Sequence, residues 1–258
     1  MSTTGFVGTI PAIYEAHLGP ALFEPYAIDL AARVPPGSTV LELACGTGRV
    51  TKHLAAVADK LVATDLNAPM LFEAQRHVDA KNVQWLPVDA QELPFAAEQF
   101  DVVAMQFGLM FVPDKARAVA EMRRVLRPGG RVVLSTWDHT ANNPATKLLH
   151  DLAMAEVPGD PPMFMTVPFS MPVPDALRAW FAHFARVELE TVRKTSESPS
   201  AAHLAHGFVC GNPLHTQLVE RNVDADAFEA KVAAALAEAY GDSPCRTPLS
   251  AHVVTAIV

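Results

Sequence analysis

The chain has 258 residues, half of them hydrophobic, enough for one α/β domain of ordinary size with room for an inserted cap. Its formal net charge is −8, and no basic cluster runs longer than Arg123-Arg124, so nucleic acid is a poor partner. Three widely spaced cysteines, Cys45, Cys210 and Cys245, contain no CxxC pair; this argues against a disulfide framework and for a reducing compartment.

Residues 1–10 lack a basic region followed by an apolar stretch, so no signal peptide is expected. The first thirty-odd residues read as helical, with Leu22, Phe23, Tyr26, Ala27 and Leu30 at helical spacing. Val34-Pro35-Pro36-Gly37 stops that helix.

From residue 38 the pattern becomes strand, turn, helix, repeated. Strands are expected at 38–43, 61–65, 83–88, 100–106 and 131–137, with helices near 48–58, 68–78 and 113–125. Arg127-Pro128-Gly129-Gly130 closes the last of these helices. Such alternation implies a parallel sheet covered on both faces. The most apolar window, 102–112, is broken by Gln106 and Gly108 and is far too short for a membrane span. The expectation is a soluble, cytoplasmic protein without a membrane partner.

Residues 143–173 are rich in proline and methionine and read as a lid. A helix follows at 174–184, then a strand at 187–192 whose alternation suits an exposed edge. Residues 201–240 should form helices that cap one end of the sheet. The run 252–258 is apolar on both faces and belongs inside the sheet, so the chain must turn back near its end. The expected fold is α/β, a doubly wound Rossmann-like sheet of seven strands with a helical cap. Residues 1–37 form amino-terminal helices over the ligand site. Residues 38–258 form the main domain, with insertions at about 140–175 and 200–245.

The chemistry concentrates at strand ends. The first strand runs into Glu42-Leu43-Ala44-Cys45-Gly46-Thr47-Gly48, where glycines let a ligand approach the backbone. Asp65 ends the second strand, placed to accept both hydroxyls of an adenosyl ribose. Asp89-Ala90 follows the third and can meet an adenine edge. Singly, each has a plain alternative as a turn or cap residue; together at three successive strand ends they point to one ligand. A G-x-G-x-x-G count from Gly46 puts Thr51 at the third small position, and Glu42 would repel a pyrophosphate. An NAD(P)-dependent oxidoreductase is therefore the weaker alternative.

The run Val40-Leu41-Glu42-Leu43-Ala44-Cys45-Gly46-Thr47-Gly48-Arg49 resembles motif I of the class I S-adenosylmethionine-dependent methyltransferases. Ala63-Thr64-Asp65-Leu66-Asn67 with Met70-Leu71, and Asp89-Ala90-Gln91 with Leu93-Pro94-Phe95, resemble the next two motifs. Phe100-Asp101-Val102-Val103 and Val125-Leu126-Arg127-Pro128-Gly129-Gly130 complete the set in order. The resemblance covers about residues 38 to 137 and is nearest the small-molecule branch that includes the ubiquinone and menaquinone biosynthesis methyltransferases. It implies a last strand antiparallel inside the sheet, and S-adenosyl-L-methionine as cofactor, with S-adenosyl-L-homocysteine as product. It implies that the backbone of Ala44, Cys45, Gly46, Thr47 and Gly48 borders the methionine and ribose, with Glu42 supporting the amino-group contacts. Asp65 would hold the ribose, Leu66 and Met70 would flank the adenine, Asp89 and Ala90 would contact its edge, and the Gln106 carbonyl would face the ammonium.

Methyl transfer asks mainly for alignment in a dry pocket. Phe107 is placed to face the sulfonium, and Tyr14 to fold over the cofactor. Phe107, Met110, Phe111, Trp137 and Phe164 are candidate substrate walls, with core filling as their plain alternative. His139, then His17, with Tyr14, are the candidate bases if one is used. His203, His206 and His215 find no carboxylate or thiolate in the sequence pattern that completes a metal site, although Cys210 lies between, so no metal is assigned. The alanine-rich helix at 225–240 could form a dimer face, though a helix capping its own chain is the plainer account; the chain is a monomer or homodimer. The reading is methyl transfer to a small-molecule acceptor at O, N or C, with an adenosylmethionine-binding protein that does not methylate as the main alternative.

Overall fold

The computed structural model describes residues 5–6, 8–171 and 174–258. Parts of the expected amino-terminal helices (1–4 and 7) and lid (172–173) lie outside these. The described chain divides into two compact units. Unit 2 comprises residues 26–137, 171–192 and 251–258; unit 1 comprises 1–25, 138–170 and 193–250.

The seven strands are β1 (Thr39–Glu42), β2 (Lys60–Asp65), β3 (Val83–Pro87), β4 (Phe100–Gln106), β5 (Leu126–Trp137), β6 (Arg186–Ser198) and β7 (Cys245–Ile257). They form one sheet in the order β3-β2-β1-β4-β5-β7-β6. Strands β1 to β5 pair in parallel, and β7 pairs antiparallel to β5 from Arg131↔Ile257 to Trp137↔Ala251. The doubly wound mixed sheet expected from the sequence is therefore present, with the apolar carboxyl-terminal strand inside and the alternating strand at the edge.

Within unit 2, both faces of the sheet are buried because alternate residues feed different cores. Val40, Val102, Ala104 and Val133 pack with Ala27, Leu30 and Leu54. Leu41, Val103, Met105, Val132 and Leu134 join the opposite cluster with Val119, Met122 and Phe181. Three strands extend beyond their expected bounds. Leu126 already pairs with Phe100, and the Val258 amide donates to the Gly130 carbonyl, so the Arg-Pro-Gly-Gly stretch is extended backbone as well as helix stop. The exposed Asp101 carboxylate accepts from Thr39 N at 2.7 Å and from Arg127 at 2.6 Å, tying β1, β4 and β5 together.

In unit 1 the amino-terminal segment is helical as expected, but Tyr14–Phe23 is wound as a π-helix between α1 (Ile10–Ile13) and α2 (Glu24–Ala32). Pro20 lies within it and has no amide to donate; its ring crowds the carbonyl four residues back and widens the turn. Helices α3 (Thr51–Val57), α4 (Ala68–His77) and α5 (Lys115–Val125) follow β1, β2 and β4 in unit 2. The expected lid contains a thirteen-residue helix, α6 (Pro144–Glu156), which buries Ala145, Leu149 and Ala153. This corrects the reading of that stretch as lid rather than core. After α7 (Pro174–Trp180), shorter than expected, the helices of 201–240 are α8 (Ala201–Cys210), α9 (Leu214–Val219) and α10 (Ala225–Tyr240). The apolar stripe of α10, Phe228, Val232 and Leu236, is buried within the chain. Among the described residues, no helix is long and apolar enough to cross a membrane.

Candidate functional site

The carboxyl ends of β3, β2, β1, β4 and β5 stand side by side in the sheet order, which gathers Asp89, Asp65, Glu42, Gln106 and Trp137 along one edge of unit 2. The turn after β1 is held by hydrogen bonds from both neighbours. Leu43 N donates to Ala104 O and Cys45 N to Thr64 O, both at 2.9 Å, and the Thr64 hydroxyl donates to Glu42 O. Ala44 (φ 52) and Gly46 (φ 56) lie in the left-handed region. For Ala44 this is strained, and such strain persists only where the surroundings enforce it. A Cβ at Gly46 would meet nothing within 4 Å, so the loop leaves open space above its backbone.

Asp65 closes the loop from β2. Its Oδ2 accepts from Gly46 N at 2.9 Å, and its Oδ1 accepts from Asn67 N at 2.8 Å and from the Asn67 amide at 3.3 Å. Burial pushes its carboxyl above the usual range, and the backbone amides of Asn67, Gly46 and Leu66, with the Asn67 side chain, pull it back. Glu42 is buried beside it, and its Oε2 has no hydrogen-bond partner among the described residues. Burial raises the Glu42 carboxyl to about 8, with the Thr51 hydroxyl opposing and the charge of Asp65 adding. Such a group is costly to bury alone and is satisfied by a cationic donor. Cys45 is driven up by burial, Glu42 and Asp65, which makes it an unreactive thiol. Thr47 and Gly48 are buried, and Gly48 N donates to Cys45 O.

Around this centre, Leu66 is 55% exposed although apolar, while Met70 is buried on α4. Val88 N donates to Asp65 O, which carries β3 into Asp89-Ala90. Both Asp89 oxygens accept from the Gln91 side chain, whose own carbonyl oxygen accepts from Asp114 N. Gln106 is in register with Ser135, and Phe107 follows with φ 51. The Phe107 ring lies flat on Trp137, centroids 3.9 Å apart and 4° from parallel, and Tyr26 meets both edge-on. One face of Phe107 is thus committed to Trp137. Met110 is buried in the short 3₁₀ turn Leu109–Phe111, and Phe111 is half-buried.

The remaining candidates belong to unit 1. Tyr14 stacks on Phe23 at 4.8 Å, and Phe164 meets Phe6 edge-on. His139 caps a 3₁₀ turn, its Nδ1 accepting from Ala141 N. His17 Nδ1 bonds to the His203 carbonyl, and burial lowers its pKa. The expectation that no carboxylate joins the carboxyl-terminal histidines is corrected: Glu229 lies against both His206 and Cys210. Spacing hid it, because Glu229 sits on a separate helix. Asn67 and Gln91, which clamp Asp65 and Asp89, were also missed, although a polar residue two positions after an aspartate is a local turn signal.

Residues 41–134 match the family model described as a methyltransferase domain. A ubiquinone/menaquinone biosynthesis C-methyltransferase of Hahella chejuensis is 35% identical over 144 residues, 53% of this chain and 57% of that protein. The chain thus spans little more than half the length of that relative. Among solved structures, the YcgJ protein of Bacillus subtilis has a TM-score of 0.57 at 17% identity, covering 90% of this chain and 98% of that one. A phosphoethanolamine N-methyltransferase of Haemonchus contortus, solved with S-adenosylhomocysteine and phosphomonomethylethanolamine, has a TM-score of 0.58 at 14% identity, covering 96% and 56%.

Proposed function

We propose, on the premise that residues 41–134 are a methyltransferase domain similar to that of the quinone-biosynthesis C-methyltransferases, that this chain methylates a small-molecule acceptor with S-adenosyl-L-methionine. The observation that carries the proposal is the pairing of Glu42 and Asp65. One buried carboxylate oxygen has no partner among the described residues, and the neighbouring carboxylate holds the glycine turn. The pair suits a ligand that brings an ammonium and a vicinal diol, and a pyrophosphate would meet two carboxylates instead.

When bound, the cofactor supplies an electrophilic methyl group on a sulfonium. In this reading the chain's residues hold and orient it. Asp65 accepts from the ribose hydroxyls; Glu42 and the Gln106 carbonyl receive the ammonium; Leu66 and Met70 flank the adenine; and Asp89 with Ala90 meets its edge. The Phe107 ring attracts positive charge, an interaction worth roughly 0.5–2 kcal/mol. Met110, Phe111 and Trp137 form apolar acceptor walls. A base is needed only for an acceptor that arrives protonated.

A melting-temperature panel with adenosylmethionine, adenosylhomocysteine, NAD and NADP tests the proposal. A ligand at 100 times its Kd adds about 2.7 kcal/mol, or several degrees at roughly 2–4 °C per kcal/mol. The expected result is a rise with the two sulfur nucleosides alone, together with acceptor-dependent formation of adenosylhomocysteine. A rise with NAD alone overturns the proposal, and cofactor binding without turnover on any acceptor limits it to a binding protein.

A further inference from the structure

We propose that unit 1 carries a site for a zinc-class divalent cation, ligated by His206 Nδ1, Cys210 Sγ and a carboxylate oxygen of Glu229. His206 and Cys210 stand one turn apart on α8, so both side chains leave the same face of the helix. Glu229 reaches them from the first turns of α10. The Nδ1 atom is 3.2 Å from Oε1 and 3.1 Å from Oε2, and Sγ is 3.4 Å from Oε2. All three ligand atoms fit within 4.8 Å of one another. A tetrahedral zinc with metal–nitrogen and metal–oxygen bonds of about 2.0–2.1 Å and a metal–sulfur bond of about 2.3 Å sets its ligand atoms roughly 3.3–3.8 Å apart. The distances from Glu229 to His206 and Cys210 therefore need to lengthen by only a few tenths of an ångström.

The donor set selects the ion. One thiolate and one imidazole favour zinc over magnesium or calcium, which take oxygen ligands. Without a metal, the Cys210 thiol donates to Glu229 Oε2. A bound dication takes that place: the thiol loses its proton to solvent as the sulfur–metal bond forms, one proton released per ion bound.

The neighbourhood supports a built cluster rather than a chance meeting. The His17 ring, on the π-helix, is 4.7 Å from that of His206 and stacks on His203 at 4.0 Å. A Cβ at position 207 would stand 2.8 Å from the Cβ of His17, so Gly207 is what lets α8 come this close. Three half-buried protein ligands leave the fourth position to water, and the bound ion would clip α8 to α10.

The test uses the full chain, stripped with chelator and titrated with zinc alone and with cobalt alone. We expect one ion per chain, a higher melting temperature, proton release, and a thiolate-to-cobalt charge-transfer band. Cys210→Ser should abolish that band, and Glu229→Gln should weaken binding at least about tenfold. Both should keep the metal-free circular dichroism spectrum, while His215→Ala should bind as the parent does. No charge-transfer band at one equivalent of cobalt, a band that survives Cys210→Ser, or unchanged affinity in Glu229→Gln would overturn the site. None of these readouts depends on adenosylmethionine binding.

Discussion

The two units assemble their polar clusters by different means. In unit 2, Glu42, Asp65 and Gln106 each end a strand of the parallel part of the sheet and Asp89 follows another, and the backbone ladder brings them into line. Each is bracketed by a local turn, as with the Asn67 amide on Asp65. In unit 1, drawn from three separate stretches of chain, His206 and Cys210 meet Glu229 only because α8 packs on α10. Side chains placed by a sheet edge are written in motif order. Those placed by helix packing are written in the apolar residues that seat the helices, such as Phe228 and Val232.

The sharpest way to break this contrast is through packing. Trp137→Ala, which removes a buried ring stacked on Phe107, should cost about 3–5 kcal/mol in urea denaturation. Phe164→Ala, at a half-buried position of unit 1, should cost less. Equal losses would mean that the aromatic stack is not what holds the ends of β4 and β5. Next in size is Asp65→Ala. It should weaken adenosylmethionine binding by roughly 10- to 150-fold in calorimetric titration, since one charged hydrogen-bonding group lost from a site is worth about 1.5–3 kcal/mol. Asp65→Asn, which keeps an acceptor for Gly46 N, separates the loss of charge from the loss of the loop. Retained affinity in both would remove the ribose assignment.

A pH dependence of stability is also expected. The folded chain holds the Glu42 proton up to about 8, above the usual carboxylate value of 4.5, so it binds a proton that the unfolded chain has released. Stability from this group is therefore complete below about pH 4.5 and is lost as pH rises towards 8, by at most about 1.4 kcal/mol per pH unit. Glu42→Gln should flatten melting temperature against pH across that window. An unchanged slope would mean that Glu42 is solvated. Smallest is Arg127→Ala, which should cost no more than about 1 kcal/mol. The ion pair with Asp101 is exposed, and Asp101 keeps its bond to Thr39 N.

The strand–helix alternation, the glycine turn and the acidic strand ends were legible before any coordinates, because each depends on local conformation and on a burial period of two residues. Val102 and Val103 on opposite faces of β4 illustrate that rule. The edge strand was read too short: Arg193 to Ser198 is polar, and a strand with one exposed side loses its apolar signature while keeping its pairing. The lid stretch hid a helix, since its Ala, Leu and Met residues were weighed by composition rather than by the face that Ala145, Leu149 and Ala153 share.

Sequence alone determined the order of the elements and which residues stand at the strand ends, because the polypeptide's own periodicity and turn chemistry carry that information over a few residues. Tertiary structure decided the rest: that Glu42 keeps a buried oxygen with no partner among the described residues, that Phe107 gives one face to Trp137, and that Glu229 joins His206 and Cys210. Each depends on groups brought together from distant elements, and the strength of their electrostatic and packing interactions follows from distance and burial, which exist only once the chain has folded.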